Sequence, residues 1–123
     1  MQKETITPIE LILKEAKDRR DEGGLFFNAG TATVAETIFD IFRDFGFLVK
    51  GYKVINDGAQ VLQIAHIVVP ETDIEFARAS GRYQNILTTD VVPHEVHYNV
   101  KCIRKIAVRT TAGISNYRLW VFW

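Results

Sequence analysis

The chain has 123 residues, no net formal charge, and a composition that is 47% apolar and 24% charged. That balance excludes a disordered chain and one that holds nucleic acid by bulk charge, and the length suits one domain, residues 1–123, able to bury about two thirds of its unfolded surface. The single cysteine, Cys102, excludes an internal disulfide, and no run approaches the eighteen or so apolar residues of a membrane span.

The start of the chain lacks the basic residues and apolar run of a secretory leader. The expected location is therefore cytoplasmic, in the protein's own cell or in a host cytosol if a virus or phage encodes it. Thr7, Pro8 and Glu10 form a capping box with proline at the first helical position. They predict a helix over residues 8–22, with Ile9, Ile12, Leu13 and Ala16 as its apolar stripe and Gly23-Gly24 as its stop. Leu25, Phe26 and Phe27 are too apolar for a free loop and are expected to fold back onto the core. A second capping box, Thr33 to Glu36, predicts a helix ending at Gly46, with Val34, Ile38, Ile41, Phe42 and Phe45 on one face.

Residues 47–55 and 59–69 read as a hairpin, because Asn56-Asp57-Gly58 carries the positive-φ chemistry of short hairpin turns. Gly51 marks a bulge or bend. The second strand is apolar almost throughout and should be central, covered on both faces. Thr72 to Glu75 opens a third, short helix ending at Gly81, and residues 83–88 form the least marked strand. Residues 94–123 then read as two long strands joined at residues 110–113. Alternation puts Val96, Tyr98, Val100, Cys102, Ile106 and Val108 on a core face, followed by Tyr117, Leu119, Val121 and Trp123.

This order, ααββαβββ, predicts a single α+β domain: an antiparallel sheet of about five strands, strongly curved in one version, with three helices packed on one side. In element order and length it resembles the cone-shaped fold of nuclear-transport-factor-2-like and ketosteroid-isomerase-like proteins. The resemblance implies a pocket between helices and sheet. It carries no motif, so no catalytic residue comes with it.

Most chemical readings fail on spacing. His94 and His97 are three apart on a strand, so they point to opposite faces, where a zincin needs two histidines four apart on a helix. Gly30 to Thr33 lacks the lysine of a phosphate loop. Asp57 followed by Gln63-Ile64-Ala65 lacks the second carboxylate and lysine of a metal-dependent nuclease, and no nucleophile has an activating neighbour. No metal or cofactor is expected, and the chain reads more readily as a binding protein than as an enzyme.

Two candidates remain. Residues 94–123 hold five basic side chains and one acid, a net of +4 against −4 in the rest. On the polar side of the predicted hairpin His97, Asn99, Lys101, Lys105, Arg109 and Arg118 would share a surface with Trp120 and Phe122. Such a surface suits a protein partner or a second copy of the chain, as a homodimer, or single-stranded nucleic acid, whose phosphates meet cations and whose bases meet rings. Arg104 interrupts the apolar face and needs a carboxylate or a bulge that turns it outward. The second candidate is His66, in the most apolar strand, as part of a small-molecule pocket or as the base of a proton transfer with Asp40, Asp57 or Asp90. A solid core beside His66 would remove that reading.

Overall fold

The computed structural model describes residues 24–90 and 92–123. The helix predicted over residues 8–22 lies outside them. Among the described residues eight strands and two short helices follow in the order β1 (Leu25–Ala32), β2 (Thr37–Asp40), α1 (Ile41–Phe45), β3 (Gly51–Asn56), β4 (Leu62–Val68), α2 (Ile74–Ala79), β5 (Gln84–Ile86), β6 (His94–His97), β7 (Ile103–Thr110) and β8 (Ser115–Phe122). They form two antiparallel four-stranded sheets, β1-β8-β3-β6 and β2-β7-β4-β5. Every connection except β4 to β5 passes from one sheet to the other, the jelly-roll way of closing a two-layer sandwich. The fold is therefore mostly β. It corrects the expectation of an α+β domain with about five strands and three helices on one side, and with it the cone-shaped resemblance.

Both predicted hairpins fail for the same reason. Alternation tells which face of a strand is buried, but not whether the next strand lies beside it or across the core from it. β3 and β4 lie in different sheets, and so do β7 and β8. The chain crosses after β3 on a buried, fully bonded asparagine. Asn56 Nδ2 donates to the carbonyls of Gln60 (2.7 Å) and Ile86 (2.9 Å), while its Oδ1 accepts from Gly58 N–H (3.0 Å) and Ser115 Oγ (2.7 Å). Gly58 is there for space and not for a positive φ, since a Cβ would overlap Ser115. The single strand predicted from residue 94 is also broken, at residues 98–102, so β6 and β7 separate into different sheets. Tyr98 and Val100, placed by alternation on the core face, are exposed.

The helix predicted from Thr33 to Gly46 is mostly something else. Thr33 Oγ1 accepts from Ala35 N–H (3.2 Å), a local turn that leads into no helix. Residues 37–40 form β2 against β7, and α1 is capped instead by Asp40, whose carboxylate accepts from Arg43 N–H (3.1 Å). Thr-Ile-Phe suits a strand as well as a helix. The predicted stripe splits: Ile41 and Phe45 are buried, while Val34, Ile38 and Phe42 are exposed. Gly46 does end the helix, at φ 80.

Other expectations hold. Leu25, Phe26 and Phe27 return as β1, paired with β8, but only Phe26 packs on the core, and Leu25 and Phe27 are exposed. On β8, Tyr117, Leu119 and Val121 are buried while Asn116 and Arg118 are exposed. β4 is covered on both sides: Leu62 and Ile64 enter the core between the sheets, while Ala65 and Ile67 lie under Ile74 and Ala77 of α2. A bulge falls where Arg104 required one: Ile67 pairs with Lys105 and Val68 with Ile103, which leaves Arg104 out of register with its guanidinium over Phe42 at 5.1 Å. Gly51 shows no bulge; its register is continuous, and it is needed because the ring of Phe122 lies where a side chain would be. No described helix is long and apolar enough to cross a membrane.

Candidate ligand-binding cleft

The inward residues of β4 run Leu62, Ile64, His66, Val68, and the core opens where the third of them falls. β5 is only three residues long, and its last pair with β4 joins Gln84 to Ile64. Beyond that point His66 and Val68 have no strand beside them on the β5 side. The gap between the two sheet edges is a cleft of about 440 Å³ lined by Tyr52, Ile64, His66, Val68, Arg82, Gln84, His94, Val96 and Tyr98. Its size lies within the range of small-molecule sites.

Three rings cross the floor. Tyr52 Oη lies 2.7 Å from His66 Nδ1, and His66 Nε2 lies 2.8 Å from Tyr98 Oη. Burial lowers the imidazole pKa from 6.5 to about 4, helped by the positive charge of Arg82 and partly countered by Glu71. His66 is therefore neutral at pH 7. Burial also raises the Tyr52 and Tyr98 phenols and lowers His94. Arg82 is anchored by Glu71 at 2.8 Å, and Glu71 also accepts from Val68 N–H at 3.1 Å. Burial pushes the Glu71 carboxyl up, but these bonds and the Arg82 charge outweigh it, so the pKa ends below the ordinary value. His94 Nε2 is buried and has no hydrogen-bond partner among the described residues.

The surface predicted from the hairpin is divided between the two sides of the sandwich. Lys105 and Arg109 stand on the outer face of the second sheet. There Lys105 is 4.0 Å from Asp40, and Arg109 donates to Gln63 (2.9 Å) with its guanidinium 3.9 Å over Tyr83. Asn99 and Lys101 lie in the exposed loop between β6 and β7. His97, Arg118, Trp120 and Phe122 do come together, on the outer face of the first sheet. Trp120 meets Phe27 at 5.1 Å and Lys53 at 4.7 Å, and His97 stacks on Phe122 at 4.7 Å. Arg118 is held by Asp57 in two bonds of 2.7 and 2.9 Å, which keep the carboxyl below its usual range.

Of the cleft residues, sequence reasoning found only His66. Tyr52, Arg82 and Gln84 passed unnoticed, and Tyr98 was read only as a core-face residue. The available signal for β6 was parity: with His94 facing inward, Val96 and Tyr98 share its side, and Glu95 and His97 take the other. Asp40, Asp57 and Asp90 are not among the residues lining the cleft, and among the described residues no three His, Cys, Asp or Glu side chains are arranged to hold a metal.

Among the described residues, fold and site together define an eight-stranded jelly roll with a cleft at one open edge. Compared with known proteins, the chain matches no family model, and a search of curated proteins gives no match.

Proposed function

We propose that the chain is a small-molecule-binding protein whose site is the cleft beside His66. The observation that carries this reading is the break in the core itself: an inward position of a central strand holds a histidine, bonded on both ring nitrogens, at the floor of a cleft of ligand size. Apolar walls with a few convergent polar groups are the usual make-up of such sites. The arrangement supports binding more than turnover. His66 has its ring nitrogens engaged by two phenols, and among the described residues no carboxylate lines the cleft to complete a proton transfer. Nuclear magnetic resonance of the full chain during titration with a small-molecule library tests the reading. Shifts should concentrate on Tyr52, His66, His94 and Tyr98, and a library that leaves these four signals unmoved refutes it.

A second reading is supported by the row of Phe27, Trp120, Lys53, Phe122 and His97 across the first sheet. Aromatic rings with cations are enriched at protein interfaces. Under this reading the outer face engages a macromolecule, with protein, including a second copy of the chain, favoured over single-stranded nucleic acid. Sizing the native protein and Trp120→Ser at low and high salt, with and without a mixed oligonucleotide, tests it. An unchanged mass for both under every condition would count against self-association and nucleic acid alike.

A further inference from the structure

We infer that the ligand of the cleft is an organic carboxylate with an apolar body, an inference that rests on the reading of the cleft as a ligand site. It follows from where the protons must be. The Tyr52 hydroxyl is buried, and its one partner among the described residues is His66 Nδ1 at 2.7 Å. A buried phenol that only accepted there would leave its own O–H unsatisfied, so Tyr52 donates and Nδ1 accepts. A neutral imidazole then carries its proton on Nε2 and donates it to Tyr98 Oη at 2.8 Å. The Tyr98 hydroxyl has thus accepted from the protein side, and its own hydrogen is left to point into the cleft. The chain Tyr52 to His66 to Tyr98 runs in one direction and ends as a donor, each bond polarising the next.

Two further groups ask for the same kind of atom. Arg82 uses one end of its guanidinium on Glu71, and a guanidinium has five N–H groups with no acceptor among them. Its charge reaches both His66, where it adds to the lowering by burial, and Tyr98, where it opposes the raising by burial. His94 Nε2 is buried at the cleft without a hydrogen-bond partner among the described residues. A carboxylate accepts from Tyr98 and the free side of Arg82 at once, and from His94 in its Nε2–H form, and it adds no donor that would face theirs. Ile64, Val68, Val96 and the Tyr52 ring are left to cover the apolar remainder. Glu71 is tied to Arg82 and to the backbone of Val68, so the anion approaches the cation from the other side.

The test uses the full chain at neutral pH, with benzoate and hexanoate as probes and benzamide and hexanamide as their uncharged counterparts, read by nuclear magnetic resonance titration. The inference expects one or both carboxylates to shift Tyr98, His66 and His94, and each binding carboxylate to bind at least about tenfold more tightly than its amide. Tyr98→Phe, which removes one partly exposed hydroxyl and leaves the ring, should weaken carboxylate binding by about tenfold while its spectrum stays folded. Equal binding of carboxylate and amide would overturn the carboxylate and leave the cleft as a site. Shifts confined to other surfaces, or none at millimolar probe, would overturn both. Native-like affinity in Tyr98→Phe would overturn the donor assignment on which the inference depends.

Discussion

Acid should weaken this fold through His66. The imidazole takes up a proton near pH 6.5 in the unfolded chain and only at about 4 in the folded one. Between those values the unfolded chain binds more protons, so stability is complete above pH 6.5 and is lost as the pH falls towards 4. The gap corresponds to about 3 kcal/mol by linkage, and the part of the ring open to the cleft reduces the expected loss to about 2 kcal/mol. His94, lowered by its own burial, acts in the same direction. The groups facing His66 are Tyr52 from β3, Tyr98 and His94 from β6 and the loop after it, and Arg82 and Glu71 from either side of α2. Only Glu71 is an acid, and it is held below its ordinary range. It therefore adds its own loss at the lower end, as the pH falls through its folded pKa.

Urea unfolding followed by the fluorescence of Trp120 and Trp123, at a series of pH values from neutral to about 4, measures the effect. Replacing His66 by Phe alone is an impure control, because it leaves the buried Tyr52 hydroxyl without a partner at a cost of about 1–3 kcal/mol at every pH. The variant with both His66→Phe and Tyr52→Phe removes that orphan. It should lose most of the pH dependence between 6.5 and 4, while the slope below that window persists. A double variant as steep in that window as the native protein would refute the assignment of the proton to His66, and with it the burial on which the tautomer argument stands.

Asn56→Ala removes four hydrogen bonds at the buried crossing between the sheets and should lower stability by about 2–4 kcal/mol, read as a lower urea midpoint with an unchanged slope. Leu119→Ala, which empties a fully buried position facing the other sheet, should cost about 2–5 kcal/mol in the same assay. Gly58→Ala should cost about 1–3 kcal/mol, because its methyl group would overlap Ser115 and the backbone beside it. Asp57→Asn, at an exposed but doubly bonded ion pair, should lower the urea midpoint only slightly, far less than Asn56→Ala.

What could be read from the sequence was local, and what could not was the partner of each local feature. β4 was recognisable as a strand covered on both faces because seven consecutive residues carry only two polar side chains, and α2 because Thr72 to Glu75 and Gly81 bracket it, although the capping residue is Asp73 and not Thr72. The inward and outward sides of β8 were correct residue by residue. None of this fixes which strands pair. Asn56-Asp57-Gly58 looks like a hairpin turn, but besides its local bonds to Gly58 and Gln60 the buried Asn56 bonds to Ile86 and Ser115, contacts that appear only once both sheets are in place. The cleft was invisible for a related reason. It exists because β5 stops beside Ile64 while β4 continues to Val68, and the length of one short edge strand is among the least determined features of a sequence.

The charge division fared as the hairpin did, for a reason that bears on which surface works. A net of +4 over residues 94–123 suggested a basic face only while those residues were taken as one face. In the sandwich Lys105 and Arg118 stand on opposite sides, and each meets an aspartate from the acidic part of the chain, Asp40 and Asp57. Arg109 meets the neutral Gln63 and the Tyr83 ring, and Arg104 lies over Phe42. The cations are thus spread out and partly neutralised, which weakens the electrostatic support for a nucleic-acid partner, whose binding needs several cations along one track. Arg82 differs in kind. It too is paired, but its partner Glu71 lies outside the residues that line the cleft, whereas Arg82 itself lines it together with Tyr98 and His94. One placed cation beside two polar groups in an apolar recess suits a small anion better than several scattered cations suit a polymer.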